Sequence, residues 1–263
     1  MNLQIFQVDA FTKKPLGGNP AAVCPLNEWL ADETMLKIAA ENNLSETAFF
    51  VAKDDFYEIR WFTPNVEINL CGHATLAASY VIFNCLKLED KIVKFYSSRS
   101  GHLSVEKQDE LLILNFPNYG LNEIEMMPEL IAAAVGKTPQ QMWETQGNMA
   151  MLLFETEEDI KSLQPDMSAL NKIDFDEFIV TAKGENSDFV SRLFAPRIGI
   201  PEDPVTGATH CSLIPYWAER LGKEKLYARQ LSARGGELFC ELNGERVKIG
   251  GNAALYLKGE IYI

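Results

Sequence analysis

Two stretches constrain this chain more than any others: residues 73 to 83 (HATLAASYVIF) and residues 208 to 217 (ATHCSLIPYW). Each is uncharged, of helical length, and opened by a glycine, Gly72 and Gly207. A helix that is apolar all round has no face to give to water and must be enclosed on every side. Strand-like segments flank both. Leu3 to Val8, Thr47 to Val51, Phe56 to Thr63, Val93 to Tyr96, Leu103 to Val105 and Leu111 to Phe116 lie in the first half. Met151 to Phe154, Phe178 to Ala182 and Phe189 to Phe194 lie in the second. Glu67 stands five residues before Gly72, and Glu202 stands five before Gly207. The halves therefore read as related, which predicts an α/β chain of two similar domains, each a curled sheet around a central helix.

The remaining punctuation fits that plan. Gly17-Gly18-Asn19-Pro20 makes a turn, and Asp32 caps a helix that buries Met35, Ile38 and Ala39 and stops near Asn42-Asn43. A helix over Pro128 to Val135 ends at Gly136, Gly222 terminates the second apolar helix, and Asn243-Gly244 turns a hairpin. Pro117-Asn118-Tyr119-Gly120 is the expected boundary. It gives domains at 1–118 and 119–263, with the final strand free to pack back on the first.

Of the 263 residues, 47% are hydrophobic, which excludes a largely disordered chain. The net charge of −13 disfavours nucleic acid and anionic lipid as partners. No apolar run reaches the roughly 20 residues of a membrane span. Gln4, Gln7 and Asp9 interrupt any signal-peptide core, so a cytoplasmic location is expected. Five cysteines without a CxxC pair suggest neither a disulfide framework nor zinc, and three histidines are few for a metal centre.

The candidate chemistry sits at the helix starts. Gly72 and Gly207 either make tight turns or let free amides and the helix dipole hold an anion. Glu46, in Ser45-Glu46-Thr47, is either a solvated carboxylate or, if buried, a general base. Asp203, before Pro204, reads as a cap or as a site residue. Cys71-Gly72-His73 puts a thiol and an imidazole at a helix N-terminus, where a cysteine is either structural or reactive. Cys211, beside His210, raises the same alternative. His102 is expected in a turn without a role. Gln230 to Gly236 is expected to form a turn that approaches the cleft.

Together these residues resemble the PhzF-like proteins of the phenazine-biosynthesis type, relatives of diaminopimelate epimerase. The resemblance is carried by VDAF (8–11) with Gly18-Asn-Pro20, ENNLSETAF (41–49), IRWFTP (59–64), LCGHATLA (70–77), EDPVTG (202–207) and QLSARGG (230–236), in order along nearly the whole chain. It implies the diaminopimelate epimerase-like fold, a homodimer without metal or organic cofactor, and proton-transfer isomerisation of a small carboxylic acid in an interdomain cleft. By motif, Glu46 matches the proton-shuttling carboxylate, and His73 and Asp203 match its polar partners. Asn19, Gly72, Ala74, Gly207 and Ala208 match the substrate-binding positions. One departure stands out: after EDPVTG the phenazine-pathway proteins typically carry Ser-Ala, and here Ala208-Thr209 follows, so a hydroxyl is missing unless Thr209 supplies it.

Three functions follow. The first is a cofactor-independent isomerase using Glu46, with His73 and Asp203 assisting. The second is a two-thiol epimerase or racemase using Cys71 and Cys211. The third is a binding relative without catalysis.

Overall fold

In the computed structural model, which describes residues 1–125 and 128–263, the chain divides into two units, residues 1–115 with 249–263 and residues 116–248. The first unit begins with β1 (Asn2–Ala10), β2 (Asn19–Leu26), α1 (Asp32–Asn42), β3 (Glu46–Ala52), β4 (Tyr57–Phe62) and β5 (Glu67–Ile68). It continues with α2 (Gly72–Tyr80), β6 (Ile92–Ser97), β7 (Gly101–Gln108) and β8 (Leu111–Pro117). The strands pair in series: β1 antiparallel to β2, β2 parallel to β3, β3 antiparallel to β4, β4 antiparallel to β5 and parallel to β6, then β6, β7 and β8 antiparallel.

Every residue of α2 from His73 to Ser79 is buried, as an uncharged helix requires. The small side chains Ala74, Ala77 and Ala78 let it lie close against β1, β2 and β3. Its two aliphatic hydroxyls need no partner outside the helix and its cap. Thr75 donates to the Cys71 carbonyl at 2.6 Å and Ser79 to that of Thr75 at 2.8 Å. A π-helical turn, Val81–Cys85, prolongs the helix. The opposite face of the sheet is covered by α1, whose Met35, Ile38 and Ala39 pack with Phe49, Val51 and Phe62. Asp32 departs from its expected role. The cap position is Ala31, without a side-chain bond, and Asp32 instead accepts from Arg60 Nη1 at 2.9 Å. The left-handed Asn43 ends the helix as expected.

The second unit runs β9 (Asn122–Glu123), α3 (Pro128–Val135), β10 (Gln141–Thr145), β11 (Met149–Leu153), α4 (Glu157–Ser162), α5 (Met167–Leu170), β12 (Glu177–Lys183) and β13 (Phe189–Ala195). Next come β14 (Ile200–Asp203), α6 (Gly207–Leu221), β15 (Lys225–Gln230), β16 (Gly236–Asn243) and β17 (Arg246–Gly251). Its core strands repeat the pairing of the first unit. β11 is parallel to β12, β12 antiparallel to β13, and β13 antiparallel to β14 and parallel to β15. The similarity glimpsed at Glu67 and Glu202 extends to their partners. Arg60 grips Glu67 through Nε and Nη2, both at 2.8 Å, and its guanidinium lies over Phe62. Arg192 grips Glu202 in the same way at 2.8 and 3.1 Å and lies over Phe194.

Helix α6 contains Pro215, whose missing N–H leaves the Cys211 carbonyl without its helical donor. The backbone N–H of Tyr119 takes its place at 2.9 Å. Trp217 donates to Thr181 at 3.0 Å, and Ser212 bonds Thr145 at 2.7 Å, which ties this buried helix to β12 and β10. The chain then returns to the first unit, where β18 (Ala253–Tyr262) pairs antiparallel with β1. No helix of the described residues is long and apolar enough to cross a membrane.

Gly18 shows how tightly the lead-in to β2 is built. Its φ is +58°, and a Cβ there would stand 2.0 Å from the Ala10 carbonyl oxygen. Gly18→Ala is expected to destabilise the protein by roughly 3 kcal/mol, combining left-handed strain with a backbone clash. Chemical denaturation measures it, and an unchanged midpoint would contradict this reading.

Candidate active site

The first unit gathers four of the expected residues at the start of α2. Glu46 opens β3 beside α2, and the preceding turn is pinned where Asn42 Nδ2 donates to Thr47 Oγ1 at 3.0 Å. His73, the second residue of α2, brings its Nε2 within 3.0 Å of Glu46 Oε2. Its Nδ1 lies 3.2 Å from Asn19 Nδ2 and 3.4 Å from Cys71 Sγ. All four residues are buried. Asn19 begins β2, directly after the Gly17-Gly18 turn, so the left-handed Gly18 delivers the amide to the imidazole.

Burial by itself favours a neutral His73. The Cys71 sulfur and the Glu46 carboxylate outweigh it, and the pKa of His73 stands well above the ordinary value. Burial, reinforced by the Glu46 charge, pushes the Cys71 thiol up. Glu46 is the neighbouring carboxylate that favours His73 as an imidazolium. In that state both ring nitrogens carry hydrogens. Rotating the Asn19 amide then presents its oxygen to Nδ1–H, a reversal that the atomic positions of an amide readily permit.

Glu46, Cys71 and His73 place potential metal-ligand atoms within 4.8 Å of one another. A cation seated there would have to break the Glu46–His73 contact and strip protons from both His73 and Cys71. The arrangement fits a proton-holding site better than a preformed metal site.

The α2 start has no side-chain cap. The amides of Gly72, His73 and Ala74 therefore lack the hydroxyl or carboxylate that usually satisfies a helix N-terminus, and the dipole there favours an anion. The start of α6 also has no side-chain cap at Thr206. There Gly207 is buried and Ala208 exposed.

Asp203 belongs to the second unit. It does not cap α6; it ends β14 and accepts from the Thr206 hydroxyl. The expected turn at Gln230 has a structural duty as well. Gln230 ends β15, donates to the Asp203 carbonyl at 2.9 Å, and accepts from Thr206 N–H at 2.9 Å. At Gly236 a Cβ would stand 2.3 Å from Val205 Cγ2. The QLSARGG segment thus fixes the path into α6. Sequence spacing gave no sign of that contact.

Thr209 is buried and donates to the Thr206 carbonyl at 2.9 Å, so its hydroxyl is committed to its own helical turn. Cys211 lies one turn inside α6, and burial raises its pKa to about 12. In the repeat, Thr206 rather than Cys211 corresponds to Cys71. Burial lowers His210 to about 4, and its Nδ1 faces the Thr206 carbonyl at 2.8 Å. His102 is not in a turn: it lies within β7, its ring 5.1 Å from that of Tyr96.

A family model described as phenazine biosynthesis-like protein matches residues 8–259. An uncharacterized isomerase of Pseudomonas aeruginosa is 51% identical over 99% of both chains. A mouse phenazine biosynthesis-like domain-containing protein is 39% identical, again over 99% of both. The crystal structure of a PhzF-family protein from Enterococcus faecalis covers all of both chains with a TM-score of 0.97 at 45% identity. A predicted epimerase from P. aeruginosa shares the fold at 17% identity, with a TM-score of 0.76 over 99% of both chains. The expected α/β, epimerase-like fold is the one observed.

Raising the His73 pKa carries a definite sign. The imidazolium–carboxylate pair stabilises the fold fully below the unfolded histidine pKa of about 6.5, and the gain is lost as pH rises through the folded value. NMR titration should show the His73 ring titrating above the ordinary imidazole range. Glu46→Gln should move its midpoint down by at least one unit, and an unmoved midpoint would show that Glu46 is not the partner that charges it.

Proposed function

The chain belongs to the phenazine biosynthesis-like (PhzF) family, and from that premise we propose that it is a cofactor-independent isomerase moving a proton on a small carboxylate-bearing substrate, with Glu46 as the acid/base group. One observation carries the reading: a buried glutamate lies 3.0 Å from a buried histidine at an uncapped helix start. A carboxylate buried without purpose is costly to the fold, and such groups concentrate where proton chemistry is done.

The roles follow from charge. Facing an imidazolium, Glu46 enters the reaction as an anion and can take a proton from carbon. Once it has done so, His73 remains as a cation beside the negative charge that the substrate has gained. Asn19 holds the ring in place. The amides at Gly72 and Ala74 receive the substrate carboxylate; Gly207 and Ala208 open the equivalent helix of the second unit. Asp203 supplies a further polar contact, a role taken from the family resemblance. The Ala208 methyl stands where the phenazine-pathway proteins carry a hydroxyl, and Thr209 does not replace it. This supports a substrate other than the phenazine precursor.

The two-thiol alternative has less behind it. Burial raises both thiols, and Cys211 does not occupy the repeat position of Cys71. Each thiol would first need an activating base.

A panel of small carboxylic acids incubated with the protein in D2O, followed by proton NMR, tests this. A turned-over acid should gain deuterium at carbon. Glu46→Gln should fold normally and lower the rate by a factor of roughly 100 to 10,000, the usual contribution of a positioned acid or base. Incorporation at the wild-type rate in that variant would end the assignment. Cys71→Ser should stay within about tenfold of wild type, and complete loss would reinstate thiol chemistry.

A further inference from the structure

Glu177 opens β12 as Glu46 opens β3. The registers agree at every neighbour: Glu46 stands opposite Ala21 across a parallel pair, and Glu177 opposite Met149 across another. The following residues, Thr47 and Phe178, pair with Phe62 and Phe194 of the antiparallel neighbours. Phe62 and Phe194 are the two rings beneath the duplicated arginines. Glu177 is thus the counterpart of Glu46 in the second unit.

The register also fixes which way it faces. Ile179 stands opposite Leu193, and Leu193 opposite Asp203, so the three share one face of the sheet. Glu177, two residues before Ile179, shares that face. So does Thr181, which accepts from Trp217 of α6. Phe178, Val180 and Ala182 turn the other way, into a core with Ile131 and Ile160. Glu177 and Asp203 therefore lie on the sheet face that α6 covers.

The two glutamates differ in what confronts them. The second residue of α2 is His73, whereas the second residue of α6 is Ala208. From β14 the charged neighbour of Glu177 is Asp203, and from its own approach it is Asp176. Met149 on β11 and Ser191 and Leu193 on β13 are uncharged. His210 of α6 is held neutral by burial. Arg197, in the short helical turn at 196–198 that packs on β12, bonds Asp174 at 2.8 Å and approaches Asp176 at 3.7 Å. Arg192 pairs with Val180 in the strand ladder, on the opposite face, and is bound to Glu202. Glu177 is half-buried, and that partial burial first, then the charges of Asp203 and Asp176, push its carboxyl up to about 7.

We infer that Glu177 is a positioning residue for the proposed isomerisation, a carboxyl set on the same face of the sheet as Asp203 so that it governs the charge Asp203 meets there. The inference rests on the reading that Asp203 serves the reaction. Glu46 faces the imidazole of His73, and Glu177, with Ala208 in the equivalent place, keeps its proton. A protonated Glu177 removes like-charge repulsion from Asp203.

The test uses full-length protein labelled with carboxyl carbon-13 in Glu and Asp. Wild type should show one glutamate carboxyl titrating near neutral pH, and Glu177→Gln should abolish that signal. Asp203→Asn should increase the acidity of Glu177 about tenfold or more, a midpoint shift of one unit. A neutral-range signal that survives Glu177→Gln, or a midpoint indifferent to Asp203→Asn, would overturn the proposal. With an acid that exchanges in D2O, wild-type exchange should fall as pH rises through the Glu177 midpoint. Glu177→Gln, whose amide keeps the neutral form, should lose that limb and stay within about tenfold of wild type at low pH. A uniform loss at all pH values with the limb intact would mark a merely structural residue. If Glu46→Gln keeps full exchange, the functional reading fails, while the carboxyl titrations still judge the Glu177–Asp203 pair separately.

Discussion

Enclosing α2 sets the terms for the rest of the first unit. A helix with seven consecutive buried residues offers nothing to water, so strands must surround it, and its N-terminal amides must find partners inside the protein. No side chain caps them. The start of α2 is consequently a place where positive potential is built into the backbone and left available. Glu46 and His73 are set against it, one negative and one positive, within 3.0 Å. The charged chemistry of the site is a consequence of burying the end of a helix among strands.

The overall charge of −13 would seem to oppose an acidic substrate. The local arrangement answers this. Arg60 holds Glu67 and Asp32, and Arg192 holds Glu202, so these carboxylates near the lead-ins to the helices are paired. What the helix starts present is peptide N–H, which attracts anions whatever the distant surface carries, since exposed charges beyond about 10 Å are screened. The family's recurring isomerase names are compatible with such a design.

Duplication of a scaffold with divergence of its contents is the second theme. The two strand series share their pairing, their arginine–glutamate clamps and their glycine-opened helices. They differ in the polar groups mounted on them. His73 has Ala208 as its counterpart, Cys71 has Thr206, and Ile68 has Asp203. A shared backbone therefore sets Glu46 beside an imidazole, while burial and an acidic neighbour push the Glu177 carboxyl up.

Much of this was legible in the residues. The uncharged runs after Gly72 and Gly207, with Gly222 as terminator, determined two buried helices, because a chain cannot solvate an apolar helix on any side. Alternation marked strands such as Tyr57–Phe62, and the six motifs identified the family. The start of β2 at Asn19, the short β14, β15 and the closing β18 carried weaker signals, because their pairing depends on partners distant in the chain. β18 is told where to lie by β1, some 250 residues earlier. The nature of each carboxylate was likewise undecided by sequence. Ser-Glu-Thr reads equally well as a solvated turn, and Asp-Pro as a cap. Tertiary structure decided these cases, since burial and the nearest charge, rather than residue type, set whether a carboxyl is a surface anion, a base or an acid.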